Sequence, residues 1–277
     1  MNVKPYIDLI NRMAGQPRKL FCAYCGAQTV VTGQSGICSN CESIVYHTLD
    51  DIQASSPVII GLLSRINALT EKGDYAGAAA EYDKLIAANK DDANLFYAAG
   101  LFYIKYSNYE VSKINYSLPG FMEQNSQQRH RANDLTSKAR LMLNRAIYIS
   151  DATVAKGTDQ ARQMYIRFLC SVKLNKLREA QGSIQKIKSL NDEALAKYTE
   201  LVLNLNAANY NYVIDHAKEL LDDKTFYINA AFYLSVALFK KRMYRDSEII
   251  ANALKSSVTS NNVNELLGEI AAAKASF

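Results

Sequence analysis

The chain has 277 residues, 49% hydrophobic and 21% charged, with a formal net charge of +5, the composition of a globular protein long enough for one or two well-buried cores. No apolar run approaches the roughly 18 residues that cross a bilayer, and Asp8, Asn11 and Arg12 break the N-terminal stretch that a secretory signal would need. So small a charge excess permits an anionic partner without requiring one, and the expected setting is cytoplasmic, without membrane insertion.

Residues 1–19 read as an N-terminal helix and linker, with an amphipathic helix over Val3–Met13. The next segment, 20–48, carries four of the five cysteines as two C-x-x-C pairs, Cys22/Cys25 and Cys38/Cys41. Two intervening residues let both sulfurs of a pair turn toward one point, and Gly26 suits a backbone position with positive φ. Between the pairs, Thr29–Thr32, Gly33–Gly36 and Ile37 predict strand, turn and strand. That hairpin would bring the second pair beside the first, with a third short strand in Ser43–Tyr46. Four thiolates at this spacing predict one structural Zn2+ in a small β zinc ribbon, closed to further ligands. A redox pair would instead place one C-x-x-C at the start of a helix, and an iron–sulfur site uses similar thiolates at other spacings. His47, six residues past Cys41, reads as a surface histidine. The segment is too small for a core of its own, so metal binding must supply its folding free energy. From Leu20 to Tyr46 there is no Lys or Arg, which argues against this segment gripping phosphates by itself.

After Ser55-Ser56-Pro57 the apolar pattern turns helical, with a period near 34 residues. In the best-formed unit, Ile59–Asp92, Gly73-Asp74-Tyr75 makes the turn, Ala78 sits at the close helix contact, and Tyr82 and Leu85 follow on the buried face. Further units begin at Ala93, Ala161, Ala194 and Ile228. Their second helices carry Ala180/Ile184/Ile187, Val213/Ala217/Leu220 and Ser247/Ala251/Leu254. In the unit at Ala93, which has Phe96, Ala99, Gly100 and Tyr103, the matching triplet Ala139/Leu143/Ala146 arrives about 27 residues late. An insertion at about 109–135 is therefore expected, with Gln127–Arg131 as a polar loop and Leu118–Met122 as an apolar turn. Small residues at helix contacts, ringed by aromatics, let two backbones approach.

This pattern resembles the tetratricopeptide repeat (TPR). The resemblance implies a mostly α fold over 57–277: a TPR-like α-solenoid of about five helical hairpins, preceded by the ribbon. Asn262–Lys274 would be its capping helix, and the N-terminal helix would pack on the ribbon or the first repeat. The resemblance further places the first helices on a concave groove. Its groove positions are Tyr97, Tyr165, Tyr198 and Phe232, flanked by Lys105, Lys173 and Lys240, which imply a peptide partner; the alternative is that these aromatics pack between repeats. A second surface is the basic patch Arg129, Arg131, Lys138 and Arg140, joined by Arg145 against Asp134 alone, which would suit an anionic partner.

Catalytic motifs are missing from the sequence. His47, His130 and His216 fall in unrelated segments, and there is no phosphate loop, G-x-S-x-G turn or H-E-x-x-H helix. Cys170 reads as a small buried apolar residue, and the pairs Asp91-Asp92 and Asp222-Asp223 as helix caps. The expected function is a non-catalytic adaptor with protein partners and no small-molecule substrate. The alternative is a nucleic-acid-associated factor in transcription or translation.

Overall fold

The computed structural model describes residues 3–13, 18–22, 27–31, 35–38, 44–46, 57–114, 125–223, 225–257 and 261–275. The fold is mostly helical. After α1 (Lys4–Met13) come four short strands, β1 (Arg18–Phe21), β2 (Gln28–Val31), β3 (Ser35–Ile37) and β4 (Ile44–Tyr46). The helices α2 (Pro57–Glu71), α3 (Tyr75–Ala88), α4 (Ala93–Ser112), α5 (Ser126–Ala155) and α6 (Gln160–Lys173) follow. Next are α7 (Leu177–Ser189), α8 (Glu193–Asn206) and α9 (Tyr210–His216), the last extended by a 3-10 turn over Ala217–Leu220. The chain closes with α10 (Tyr227–Lys240), α11 (Tyr244–Ser257) and α12 (Asn261–Ala275).

Helices that open the expected units begin at residues 57, 93, 160, 193 and 227, within two residues of the positions read from periodicity. One turn recurs through the chain. Three-residue connections follow α2, α6, α8 and α10, and the middle residue of each is left-handed: Gly73 (φ 80°), Asn175 (57°), Ala208 (57°) and Arg242 (61°). In every case the third turn residue donates its amide to a carbonyl five residues back. The bonds are Asp74 to Leu69 (2.9 Å), Lys176 to Ser171 (2.8 Å), Asn209 to Asn204 (2.8 Å) and Met243 to Leu238 (2.9 Å). This Schellman closure satisfies carbonyls that the helix end would otherwise leave open. The last three left-handed residues lie 33 and 34 apart, and Gly73 precedes Asn175 by 102, three periods of 34.

Two compact units result. Residues 57–179 form one; α1, the four strands and residues 180–275 form the other, so the boundary falls inside α7 rather than at the start of the helical region. A chain whose elements touch mainly their neighbours can part at any thin junction.

In the unit of residues 57–179, α2, α3, α4 and α5 share a core that includes Leu63, Ala78, Tyr82, Leu85, Ala99, Tyr103 and Ala139. Tyr75 stacks on Tyr109 at 4.4 Å and on Tyr106 at 5.2 Å between ring centroids, a geometry worth about 0.5–1.5 kcal/mol per pair beyond burial. Gly100 lies where α4 crosses α5, with Leu143 directly opposite. Gln127–Arg131, expected as a loop, is helical: α5 runs unbroken for 30 residues. Its early turns are anchored by Ser107, whose hydroxyl donates to the Ala132 carbonyl at 2.8 Å, and by burial of Ala132 against α4. The apolar turn expected at Leu118–Met122 lies outside the described residues.

Asp92 caps α4, accepting from the amides of Asn94 (2.9 Å) and Leu95 (3.2 Å), and Asp223 likewise accepts from Thr225 and Phe226. Burial pushes the Asp92 carboxyl above its usual range, against the pull of the two amide bonds. A carboxyl raised in the folded state weakens the fold while ionised, and that penalty fades as pH falls through the raised value toward the unfolded one. Asp92→Asn keeps an acceptor and drops the charge, so it is expected to hold or slightly raise stability at neutral pH. Asp92→Ala should lose about 1 kcal/mol. Urea titration checks both, and a loss in the Asn variant as large as in the Ala variant would show that the charge itself matters.

In the unit holding α8–α12, Leu234, Ala251, Leu254 and Ile270 form a dry interior. Helix α12 packs on α11 through Leu266 and Ile270, in the place expected for a cap. Helix α1 packs against α10 and α11, with Ile10 fully buried, in place of the ribbon or first repeat expected from the sequence. No helix among the described residues is long and apolar enough to cross a membrane.

Candidate functional site

The strand pairing departs from the expected single hairpin between the cysteine pairs. β1 pairs antiparallel with β2, Phe21 opposite Gln28, and β3 with β4, Ile37 opposite Ile44. Each C-x-x-C therefore opens a hairpin loop of its own. Both loops are six residues long, 22–27 and 38–43, with cysteines at their first and fourth positions. Cys22 directly follows β1, Cys38 directly follows β3, and both are fully buried. β2 lies beside β3, which sets the two hairpins side by side. Cys25, Cys41 and His47 lie outside the described residues. Cys22 and Cys38 thus stand at matching positions after β1 and β3, and a metal held by four thiolates would leave no coordination position for a substrate.

Three of the seven groove positions are interior side chains. Tyr97, Tyr165 and Tyr198 are fully buried, and a side chain without accessible surface cannot meet a partner. Tyr198 stacks on Phe226 at 4.7 Å, and its hydroxyl lies 3.1 Å from that of Tyr233 and accepts from the Asn229 amide at 3.1 Å. Phe232 is half-buried against the cluster of Ala251, Leu266 and Ile270. Lys105, Lys173 and Lys240 are exposed. The aromatic ladder is core packing.

The basic patch is largely neutralised by acids distant in sequence. Lys138 pairs with Asp83 of α3 at 2.8 Å, and Asp83 also accepts from the Tyr103 hydroxyl at 2.8 Å. Burial and this carboxylate push the Tyr103 phenol well above its usual range. Arg131 reaches Glu110 of α4 at 3.6 Å and the Tyr106 hydroxyl, and Lys113 holds the same Glu110 at 3.0 Å. Arg129 and Arg140 remain exposed, and the guanidinium of Arg140 meets no acid among the described residues. A phosphate-tracking surface needs several uncommitted cations, and this helix offers few.

A different surface on α5 went unread in the sequence. Leu141 and Tyr148 are each 63% exposed, the most exposed large apolar side chains among the described residues. Seven residues apart, they share one helix face. Asn144 stands between them and accepts from Lys176 at 3.2 Å. Arg140 borders the face, and the Arg145 guanidinium lies 5.0 Å from the Tyr148 ring centroid. The signal was present: once Ala139, Leu143 and Ala146 face inward, Leu141 and Tyr148 must face out.

Cys170 is fully buried and its thiol is pushed far up by desolvation, so it is an inert core residue. His130 is exposed, and His216 bonds Glu219 at 2.8 Å. The His216 contact, with help from Lys197, holds the Glu219 carboxyl below its usual range. No protein-family model, curated protein or solved structure matches the chain.

Proposed function

We propose that this protein is a non-catalytic interaction scaffold: a TPR-like α-solenoid of five helical hairpins and a capping helix, with a four-cysteine zinc ribbon near its N-terminus. The recurrent left-handed turn, spaced by 33 and 34 residues at its last three occurrences, supports the repeat reading. The paired C-x-x-C loops support one structural Zn2+ on Cys22, Cys25, Cys38 and Cys41. The ribbon then acts as a metal-stapled second docking surface.

The observation that carries an interaction role is the Leu141–Tyr148 face. Two large apolar side chains are exposed on one face beside Arg140, which meets no acid among the described residues, and beside Arg145 and Lys176, which reach Asp91 at 4.0 Å and Glu179 at 3.4 Å near the surface. This face suits an acidic amphipathic helix that buries its apolar stripe on Leu141 and Tyr148 and sets carboxylates against the cations. Replacing both residues with Asp should lower the unfolding free energy by no more than about 1 kcal/mol, mostly through helix propensity, since both side chains are largely exposed. The same change should remove binding of a designed acidic amphipathic helix and of cellular partners. Undiminished capture of both by the double variant would sink this reading.

A further inference from the structure

A cavity of about 850 Å³ opens between α1, the turn joining α10 to α11, and α12. Its walls come from three parts of the chain far apart in sequence, and its volume lies in the range of small-molecule pockets. Four cations line it, Lys4, Arg242, Arg245 and Lys274, against one acid, Asp246. Lys274 is engaged by Glu248 at 2.8 Å. Arg242 and Arg245 are exposed and make no ion pair or side-chain hydrogen bond with any described residue. Opposite the cations, Ile7, Ile249 and the Tyr244 ring give the cavity a half-buried apolar side.

Arg242 is the left-handed residue of its turn, at φ 61°. The equivalent positions after α2, α6 and α8 are Gly73, Asn175 and Ala208, so the left-handed residue belongs to the recurring helix ending, and here it sets Arg242 at the cavity without an acid partner among the described residues.

We propose that this cavity binds a small phosphorylated molecule of nucleotide size, its phosphates held by Arg242 and Arg245 and its apolar body laid against Tyr244, Ile7 and Ile249. Two guanidinium forks match an oxyanion of two or more charges better than a single carboxylate. The site binds without turnover, and it is independent of the α5 face.

The test is calorimetric titration of the full-length protein with ADP and with pyrophosphate at low ionic strength, with succinate as the dicarboxylate control. ADP should bind, pyrophosphate should bind more weakly, and succinate should bind least. Arg245→Gln should weaken ADP at least about tenfold, as expected for loss of a charge-assisted bond. Arg242→Gly should weaken it similarly while holding or raising the unfolding midpoint, because glycine favours a left-handed backbone. That opposite movement of binding and stability is a result that simple damage to the fold would not produce. Lys105→Gln, far from the cavity in sequence and fold unit, should change nothing. The proposal is overturned if ADP and pyrophosphate fail to bind, if succinate binds as tightly as ADP, or if both arginine variants bind like wild type.

Discussion

One zinc ion per chain is expected to co-purify with this protein, and chelating it should unfold the β1–β4 region while most of the helical circular dichroism survives. The physical basis is size: β1 to β4 contain only fourteen residues in two short hairpins, far below what an independent core requires. A structural zinc site of this kind contributes about 10–16 kcal/mol of apparent binding free energy at neutral pH, so its loss cannot be made up by eight paired positions in one hairpin or six in the other. Cys22→Ser and Cys38→Ser should each release the metal, since three thiolates and a hydroxyl hold zinc far less well. Metal analysis with backbone amide exchange across residues 18–46 checks this. Metal-free protein with the same protected amides would show that the hairpins stand without an ion.

Gly100→Val should lose about 2–3 kcal/mol. A Cβ at Gly100 would sit 2.7 Å from Leu143 Cδ2 and 2.8 Å from its Cγ, with the Ala139 carbonyl at 3.5 Å. Leu143 is itself fully buried and has little room to retreat. Gly100→Ala sets two effects against each other: the same clash, and a helix-propensity gain of about 1 kcal/mol. It should therefore come out near neutral, whereas valine adds two methyl groups and loses propensity. Combining Gly100→Val with Leu143→Ala should recover part of the loss, giving a coupling energy of at least about 1 kcal/mol. Strict additivity in urea titrations would mean that the two helices do not meet at this point.

The helices were legible because the 3.6-residue apolar period reports directly on burial. Ala78, Tyr82 and Leu85, and likewise Ala180, Ile184 and Ile187, were read from spacing and are all buried. The strands were legible but their partners were not. The spacing of glycines at 33 and 36 predicts a turn, but Gly36 lies within β3, opposite Val45, and each C-x-x-C begins the connection between a paired strand and its partner. The groove aromatics failed for a related reason. Periodicity says that one side of a helix is apolar, and residues 93 to 100 are buried without a break, so the first two turns of α4 are covered all round and Tyr97 has no outer face. The basic patch was counted along the chain, whereas Asp83 and Glu110 answer Lys138 and Arg131 across helices. Electrostatic sums belong to space, and a linear window cannot supply them.

The docking of α1 on α10 and α11 has a consequence for synthesis. Arg12 meets Asp222 at 3.0 Å across 210 residues of chain, and Ile10 is buried by helices encoded still later. Helix α1 leaves the ribosome well before α10 and α11, and is therefore late to find its place. At about 5–20 residues per second, it waits on the order of tens of seconds with its apolar side uncovered. Nascent chains halted before residue 227 would carry this helix unseated and open to chaperones, while released full-length chains would not. Ribosome-bound intermediates, more than any equilibrium measurement, are where the order of assembly of this molecule can be seen.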